Sequence, residues 1–484
     1  GSNDTFYILP TGTYYLGSDI SPEYTIKIEN NVTLCLNGHK ITAADGMDAI
    51  YMTGGSFTLT DCKGVGTITH ASSKTGRGVY VSSGTFNMYG GSITGNKAQD
   101  AKGRGGGVYV YSGSGTFNMY GGSITGNRAT GDGGGVYKSG SNSSFNMYGG
   151  SITGNTANSY GGGVYVDGGG FTMTGGSIGG TNENDANTAD RGGGVCVDCG
   201  KFTMSASADG QNIPSITGNN ATENGGGVYV IGSSSTFEMT GGSITGNNAA
   251  YGGGVCVSKN GSFEMSGSSC ITNNKADSYG GGVNINYASA TFTMKGGSIT
   301  GNNAYKSDYI STFGGGVCVG SGIFTVSGEV TVTDNTKGGT KGADGKFTGD
   351  TKNNVYLPTG KTITIGTDKL SEGAQLGVTV SGDYGDYPFT SGWNANMSDK
   401  TPSDYFISDT DGYVAKLNGS ELKMVTHVHN WTYTASGDTI TATCKNCSNN
   451  NGNDFSGGSV TIQKPEKTKF NDGKDENAKV ESVG

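Results

Sequence analysis

Two histidines and two cysteines near the C-terminal end of the sequence have the spacing of a metal site. His427 and His429 are separated by one residue, so on a strand both imidazoles lie on the same face. Cys444 and Cys447 form a Cys-x-x-Cys pair that can present two thiolates to one ion. The four side chains match a tetrahedral, structural zinc site, which leaves no open position for catalysis. The alternatives are a Cys444–Cys447 disulfide, or free thiols beside unligated imidazoles.

Other cysteines have weaker chemical signals. Cys196 and Cys199 also form a Cys-x-x-Cys pair, but no thioredoxin-like strand and helix pattern surrounds it, so redox catalysis is not expected. Cys35 and Cys62 lie about one repeat apart. They either pair between neighbouring coils or remain two free thiols.

The elements that position these residues follow from a repeat. A Gly-Gly-Gly-Val motif recurs along the chain, and its valines lie 27 to 34 residues apart, a period typical of solenoids. Each unit contains strand-like pieces such as Val108 to Val110, Phe117 to Tyr120 and Ser123 to Thr125, in which apolar and polar residues alternate. The alternation predicts that the Val, Phe, Met and Ile positions face one shared core. The sequence therefore predicts an all-β fold: a right-handed, parallel β-helix with three sheets.

Tyrosines recur at two positions that we expect to face outward. One set comprises Tyr89, Tyr120 and Tyr148, and the other comprises Tyr109, Tyr137 and Tyr165. Stacked coils would align each set into an aromatic ladder able to dock sugar rings or protein, although tyrosine also simply suits exposed sheet. At the position of the second set, other repeats carry Cys196, Cys256 and Cys318, which we therefore expect outside the main core.

Asparagines follow the third strand at one position of the repeat. They are Asn96, Asn127, Asn155, Asn219, Asn247, Asn274 and Asn302. They form either a polar binding strip or an internal ladder that satisfies backbone groups at a turn. We favour the ladder, because asparagine tolerates turn geometry and forms local hydrogen bonds.

Composition excludes several classes of partner. The net charge is −9 and no basic stripe occurs, which argues against nucleic-acid binding. No run of about 18 apolar residues is present, so membrane insertion is not expected. We expect a monomer.

We divide the sequence into four parts. Residues 1–75 form an N-terminal cap with the first coils, and residues 76–335 form the tandem repeats. Residues 336–425 form the final coils with a C-terminal β cap. Residues 426–484 form the small Cys/His module and a linker to a following domain.

The repeat resembles those of bacterial cell-surface β-helix proteins. GGGVYV followed by FNMYGGSITGN is similar to the repeats of chlamydial polymorphic outer-membrane proteins, although GGG replaces GGA and no autotransporter barrel follows. The Tyr-rich and Gly/Asn-rich style looks more like secreted multidomain proteins of gut Firmicutes. The resemblance covers about residues 5–425. It implies an extracellular location and adhesion, and it implies no catalytic residues.

The function that we expect is a non-catalytic adhesin or stalk whose lateral face binds glycan or a host or matrix protein. A structural spacer is one alternative. The other is a polysaccharide lyase or glycosidase, because pectin-degrading enzymes share the β-helix fold. The four arginines, Arg77, Arg104, Arg128 and Arg191, show no recognisable carboxylate cluster in the sequence. We therefore expect no enzyme activity and no required cofactor beyond the candidate structural zinc.

Overall fold

The computed structural model describes residues 5–99, 102–111, 113–305, 312–341, 347–382, 385–427, 431–436, 439–444 and 459–463. Contacts divide the chain into two units, residues 1–425 and 426–484. The first unit is a parallel β-solenoid of about 13 coils, which confirms the predicted β-helix.

Four columns of strands run along the solenoid, and strands of one column pair in parallel with the equivalent strands of neighbouring coils. The column A strands are Tyr7–Ile8, Ile26–Ile28, Ile50–Met52, Val79–Val81, Val108–Val110, Val136–Ser139, the first part of Val164–Met173 and of Val195–Met204, Val228–Ile231, Val255–Ser258, Val283–Ile285, Val317–Val319, Val355–Leu357, Gln375–Val380 and Phe406–Ser408. The column B strands are Gly12–Tyr15, Val32–Cys35, Ser56–Thr60, Thr85–Met88, Thr116–Met119, Ser144–Met147, the second part of Val164–Met173 and of Val195–Met204, Thr236–Met239, Ser262–Met265, the first part of Thr291–Thr300 and of Ile323–Thr333, Ile363–Leu370 and Thr390–Ser391.

Columns C and D complete each coil. The column C strands are Lys40–Ala43, Thr67–His70, Ser92–Thr94, Ser123–Thr125, Ser151–Thr153, Ser177–Gly179, Ser215–Thr217, Ser243–Thr245, Cys270–Thr272, the second part of Thr291–Thr300 and of Ile323–Thr333, and the start of Gln375–Val380. The column D strands are Lys97–Ala98, Arg128–Ala129, Thr156–Ala157, Thr188–Arg191, Asn220–Asn224, Asn248–Tyr251, Lys275–Tyr279, Asn303–Ala304 and Thr336–Lys341, with Phe347–Lys352 antiparallel to the last. Column D was not predicted, because four of its strands have only two residues and register shifts interrupt several of the longer ones, which leaves little alternation to read.

The remaining elements are few. They are the α-helix Trp393–Met397, the 3-10 helices Glu183–Asp185 and Pro402–Asp404, and the paired strands Tyr413–Asn418 and Glu421–Thr426. The second unit contains the antiparallel sheet Trp431–Ser436, Thr439–Cys444 and Ser459–Gln463.

The core is built by in-register stacking of identical residues. Phe117 pairs with Phe145 and Met119 with Met147, and each of these side chains is fully buried. The phenylalanine rings form a continuous column from Phe57 to Phe324, with centroids 4.6 to 5.4 Å apart. Alternation of period two therefore predicted the inward-facing residues correctly.

The glycine triplet turns the chain into column A. Gly133 has a φ of +67°, in the left-handed region that disfavours other residues. A Cβ atom on Gly134 would lie 2.5 Å from the carbonyl oxygen of Gly162 on the next coil. The triplet is thus required by backbone conformation and by the close approach of adjacent coils.

Candidate functional site

The repeated asparagines form an internal ladder, as predicted. Between consecutive members, Nδ2 donates to Oδ1 at 2.9 to 3.0 Å, and all of the side chains are buried. The asparagine ladder comprises Asn96, Asn127, Asn155, Asn187, Asn219, Asn247, Asn274, Asn302, Asn335 and Asn354. Burial removes these amides from any binding surface.

Sequence reasoning missed three members of the ladder, Asn187, Asn335 and Asn354. Only Asn187 follows an insertion. Asn335 stands in Val-Thr-Asp-Asn instead of Ile-Thr-Gly-Asn, and Asn354 directly precedes the column A strand Val355–Leu357. Asn187 could have been recognised from the following Thr188 and Ala189, which repeat the Asn155 segment.

Tyr89, Tyr120 and Tyr148 are exposed on the outer face of column B, at 54%, 40% and 40%. Their rings stack at centroid distances of 4.5 and 4.9 Å, with interplanar angles of 8° and 14°. Each ring therefore covers the face of its neighbour, and Tyr120 presents mainly its edge and hydroxyl group to solvent. A sugar that stacks on an aromatic face has little access to the middle of this column.

The second tyrosine set lies outside the main core as expected, but it does not form an open surface. Tyr109, Tyr137 and Tyr165 point away from the main core, but they are only 9%, 0% and 6% exposed. They form a second hydrophobic cluster with Tyr229 and two cysteines, Cys196 and Cys256. These cysteines lie outside the main core as expected, yet they are buried.

Charged side chains from the neighbouring corner cover this second cluster. The guanidinium group of Arg77 lies 5.2 Å from the ring centroid of Tyr109, and that of Arg104 lies 4.8 Å from that of Tyr137. The Tyr137 hydroxyl donates to Asp167 at 2.7 Å. Alternation along one strand could not reveal this cover, because it comes from another part of the coil.

Three of the four arginines lie beside a carboxylate of a neighbouring coil. Arg77 is 3.3 Å from Asp48, Arg104 is 3.6 Å from Asp132, and Arg191 pairs with Glu223. Burial is the main cause of a raised pKa at Asp132. These pairs form between coils, which is why spacing within one repeat did not reveal them.

An open groove lies on this side of the solenoid at its first coils. Its volume is about 460 Å³. The groove is lined by Thr5, Phe6, Tyr24, Thr25, Gly46, Met47, Asp48, Tyr51, Arg77 and Tyr80. Sequence reasoning did not identify it, because its residues come from several coils. The sequence did contain one signal for the groove: Tyr51 and Tyr80 occupy the same outward-facing position of successive column A strands.

Both aromatic rings and charged side chains line this groove, which we call the aromatic groove. Tyr51 and Tyr80 stack at 5.1 Å, and Phe6 lies 5.9 Å from Tyr51 at a tilt of 38°. Arg77 lies 5.6 Å from the Tyr80 ring and also pairs with Asp48. Burial raises the pKa of Tyr80 to about 12. Such a groove can combine ring stacking with hydrogen bonding to polar groups.

The predicted zinc ligands are only partly described. His429 and Cys447 lie outside the described residues, Cys444 ends the strand Thr439–Cys444, and His427 follows the strand Glu421–Thr426. The zinc site stays a prediction. Elsewhere in the described part of the chain, no three His, Cys, Asp or Glu side chains converge as metal ligands.

Cys35 and Cys62 form a disulfide between neighbouring coils, with Cα atoms 6.5 Å apart. The structure therefore has the disulfide between coils and not the alternative of two free thiols. Cys199 is an exposed thiol, whereas Cys196, Cys256 and Cys318 are buried thiols.

The described residues contain no helix with the length and apolar content needed to cross a bilayer. In comparisons with protein-family models, curated proteins and solved structures, this chain matches none of them.

Proposed function

We propose that this chain is a non-catalytic, extracellular β-solenoid that binds glycan through the aromatic groove, as part of an adhesin or binding stalk. The observation that carries the proposal is the combination of Tyr24, Tyr51 and Tyr80 with the Asp48–Arg77 pair in one open groove. Aromatic rings pack against the apolar faces of sugars, and a paired carboxylate and guanidinium group can hydrogen-bond to their hydroxyl groups.

Two further observations support an extracellular location. The Cys35–Cys62 disulfide is typical of proteins that fold in oxidising compartments. The repeat also resembles those of secreted proteins of gut Firmicutes. A host or matrix protein is the alternative partner, because the same aromatic and charged side chains suit protein recognition.

The test is a glycan and mucin array probed with the purified chain, followed by affinity measurements on the best binder. Tyr24→Ala removes a half-buried groove ring and should weaken binding about tenfold. Tyr120→Ala, which removes an exposed ring of the column B ladder, is the matched control and should bind as the wild type does. Loss of binding in the control alone would move the site to column B. If the chain binds no glycan, mucin or matrix protein, the result would favour the alternative that it is a structural spacer.

A polysaccharide lyase or glycosidase is the second candidate. Asp132, which lies 3.6 Å from Arg104 and whose pKa is raised by burial, is the observation that favours it, because a raised pKa moves a carboxyl group towards the range that suits general acid–base catalysis. Turnover of a pectin, alginate and host-glycan panel tests this candidate. Activity that is present in the wild type and lost in Asp132→Asn would replace the binding proposal.

A further inference from the structure

The asparagine ladder has a fixed direction. Oδ1 of Asn127 accepts the backbone N–H of Asn96 at 3.1 Å, and a backbone N–H can only donate. The Asn96 side-chain atom that lies 2.9 Å from the same Oδ1 must therefore be the amide nitrogen. The carbonyl oxygen of Asn96 is then the atom that faces the N-terminal end of the ladder. The same pair of hydrogen bonds repeats at the next rungs, so the amides point one way.

His70 meets the carbonyl end of this ladder. Its side chain is 4% exposed. Nδ1 lies 2.7 Å from Oδ1 of Asn96, and Nε2 lies 2.8 Å from the backbone carbonyl oxygen of Met47. Both partners are acceptors, so each ring nitrogen needs its own hydrogen to make these bonds. The geometry is therefore that of the doubly protonated imidazolium.

The carboxyl group of Asp409 lies at the opposite end of the ladder. Asn354 donates to Asp409 from Nδ2 at 2.6 Å and from its backbone N–H at 2.7 Å, and Thr379 donates to the same carboxylate at 2.9 Å. A cation at the carbonyl end and a carboxylate at the N–H end stabilise a row of aligned amide dipoles, as charged groups do at helix ends. The donors around Asp409 fit a carboxylate and agree with the direction read at His70, although burial raises the pKa of this carboxyl group.

The second hydrogen bond of His70 connects the ladder to the aromatic groove. Met47, whose carbonyl oxygen accepts that bond, lines the groove together with the adjacent Asp48. A Cβ atom on Gly76 would lie 1.9 Å from that carbonyl oxygen and 2.4 Å from Nε2 of His70, so a side chain there would collide with both atoms. Glycine at this position allows the contact.

Charged side chains on the segments around this contact include two ion pairs. The charged side chains on the segments around His70 are Asp45, Asp48, Lys74, Arg77 and Lys97. Asp45 pairs with Lys74 at 3.2 Å, and Asp48 pairs with Arg77 at 3.3 Å. Histidine side chains ordinarily change charge between about pH 5 and 8, whereas carboxyl, lysine and arginine side chains ordinarily do so outside this range.

We propose that His70 is a positioning residue of the aromatic groove. As the imidazolium it ties the Met47 carbonyl to the ladder. Loss of either proton sets a bare ring nitrogen against an oxygen, releases the loop that carries Met47 and Asp48, and weakens glycan binding. This inference rests on the glycan-binding function proposed above.

The first test needs no ligand. The ring-nitrogen signals of isotope-labelled histidine and the backbone amide signal of Met47 are recorded by NMR across roughly pH 5 to 8. Both ring nitrogens of His70 should carry protons at the acid end, and the Met47 signal should shift with the same midpoint as one proton is lost. His39→Gln changes a partly exposed histidine that lies 3.4 Å from Asp19, and it should leave this titration unchanged.

The second test measures glycan affinity over the same range. The wild type should bind about threefold or more weakly at the alkaline end, and His70→Gln should bind equally at both ends. A Met47 signal that stays constant while His70 titrates, or wild-type affinity that does not change with pH, would overturn the inference. If no glycan binds at any pH, the groove function fails, while the NMR titration still decides whether His70 holds the loop.

Discussion

Oδ1 of Asn155 accepts two hydrogen bonds from Asn127, one from Nδ2 and one from the backbone N–H, each at 3.0 Å. Nδ2 of Asn155 in turn donates to the Ile124 carbonyl at 2.9 Å and to Asn187 at 2.9 Å. The side chain thus satisfies a buried donor and a buried acceptor of the backbone at one turn. Asparagine recurs at this position because its side chain can both donate and accept a hydrogen bond. A buried polar group without a partner would be costly.

Replacing Asn155 with alanine should therefore destabilise the solenoid strongly. It removes partners from buried groups on both neighbouring coils, and we expect the free energy of unfolding to fall by about 3 kcal/mol or more. Denaturant unfolding followed by circular dichroism measures this loss. Asn146→Ala is the matched control, because Asn146 belongs to an outward-facing pair with Asn118 at 2.9 Å and should cost less than about 1 kcal/mol. Equal losses in the two variants would contradict a stabilising role for the internal ladder.

Lys138 occupies a core position that Val110 and Val166 hold on the adjacent coils. Its side chain is fully buried, and Nζ donates to the carbonyl oxygens of Gly140, at 2.7 Å, and of Gly168. Burial lowers the pKa of Lys138 to about 8. Two carbonyl groups of neighbouring turns accept hydrogen bonds from this buried amine. The alternation pattern did not predict it, because lysine at an inward position breaks the pattern.

The low pKa of Lys138 predicts a pH dependence of stability. An unfolded lysine titrates near 10.4, so between about pH 8 and 10 the unfolded chain binds more protons than the folded chain. Stability should therefore rise with pH across this window, by roughly 1 to 3 kcal/mol relative to Lys138→Met, and the difference should be constant below about pH 8. The measurement is the unfolding free energy of both proteins at several pH values. Lys201→Met, which removes an exposed lysine, should show no such slope relative to the wild type; a slope of the same size there would refute the assignment to Lys138.

The thiols should differ sharply in reactivity. Cys199 is exposed, whereas Cys196 and Cys256 are buried among tyrosines, and burial raises the pKa of Cys256 to about 12. The hydrogen bond with Asp198 also raises the pKa of the Cys199 thiol, but this thiol is accessible. We therefore expect an alkylating reagent to modify Cys199 in the native protein and to leave the other two unmodified. Peptide mapping by mass spectrometry measures the labelling, and denatured protein provides the fully labelled control. Rapid native labelling of Cys256 would show that the second cluster is open.

The repeat itself determined most of the fold. In a parallel stack, residue pairs such as Phe117 and Phe145 come into register whenever the strands repeat, so inward-facing positions can be read from alternation alone. The internal asparagine ladder followed from the same logic, because one buried polar position repeated at every turn must find its partner on the next coil.

Only the tertiary structure decided which outward residues remain accessible. Tyr120 and Tyr137 both point away from the main core, yet Tyr120 is 40% exposed and Tyr137 is fully covered. The difference arises because Arg104, from a corner on the preceding coil, lies over the Tyr137 ring. The aromatic groove and the contact of His70 with Met47 likewise depend on contacts between coils. Alternation specifies the side of the sheet on which a residue lies, whereas the cover above that side comes from chain segments a full coil or more away.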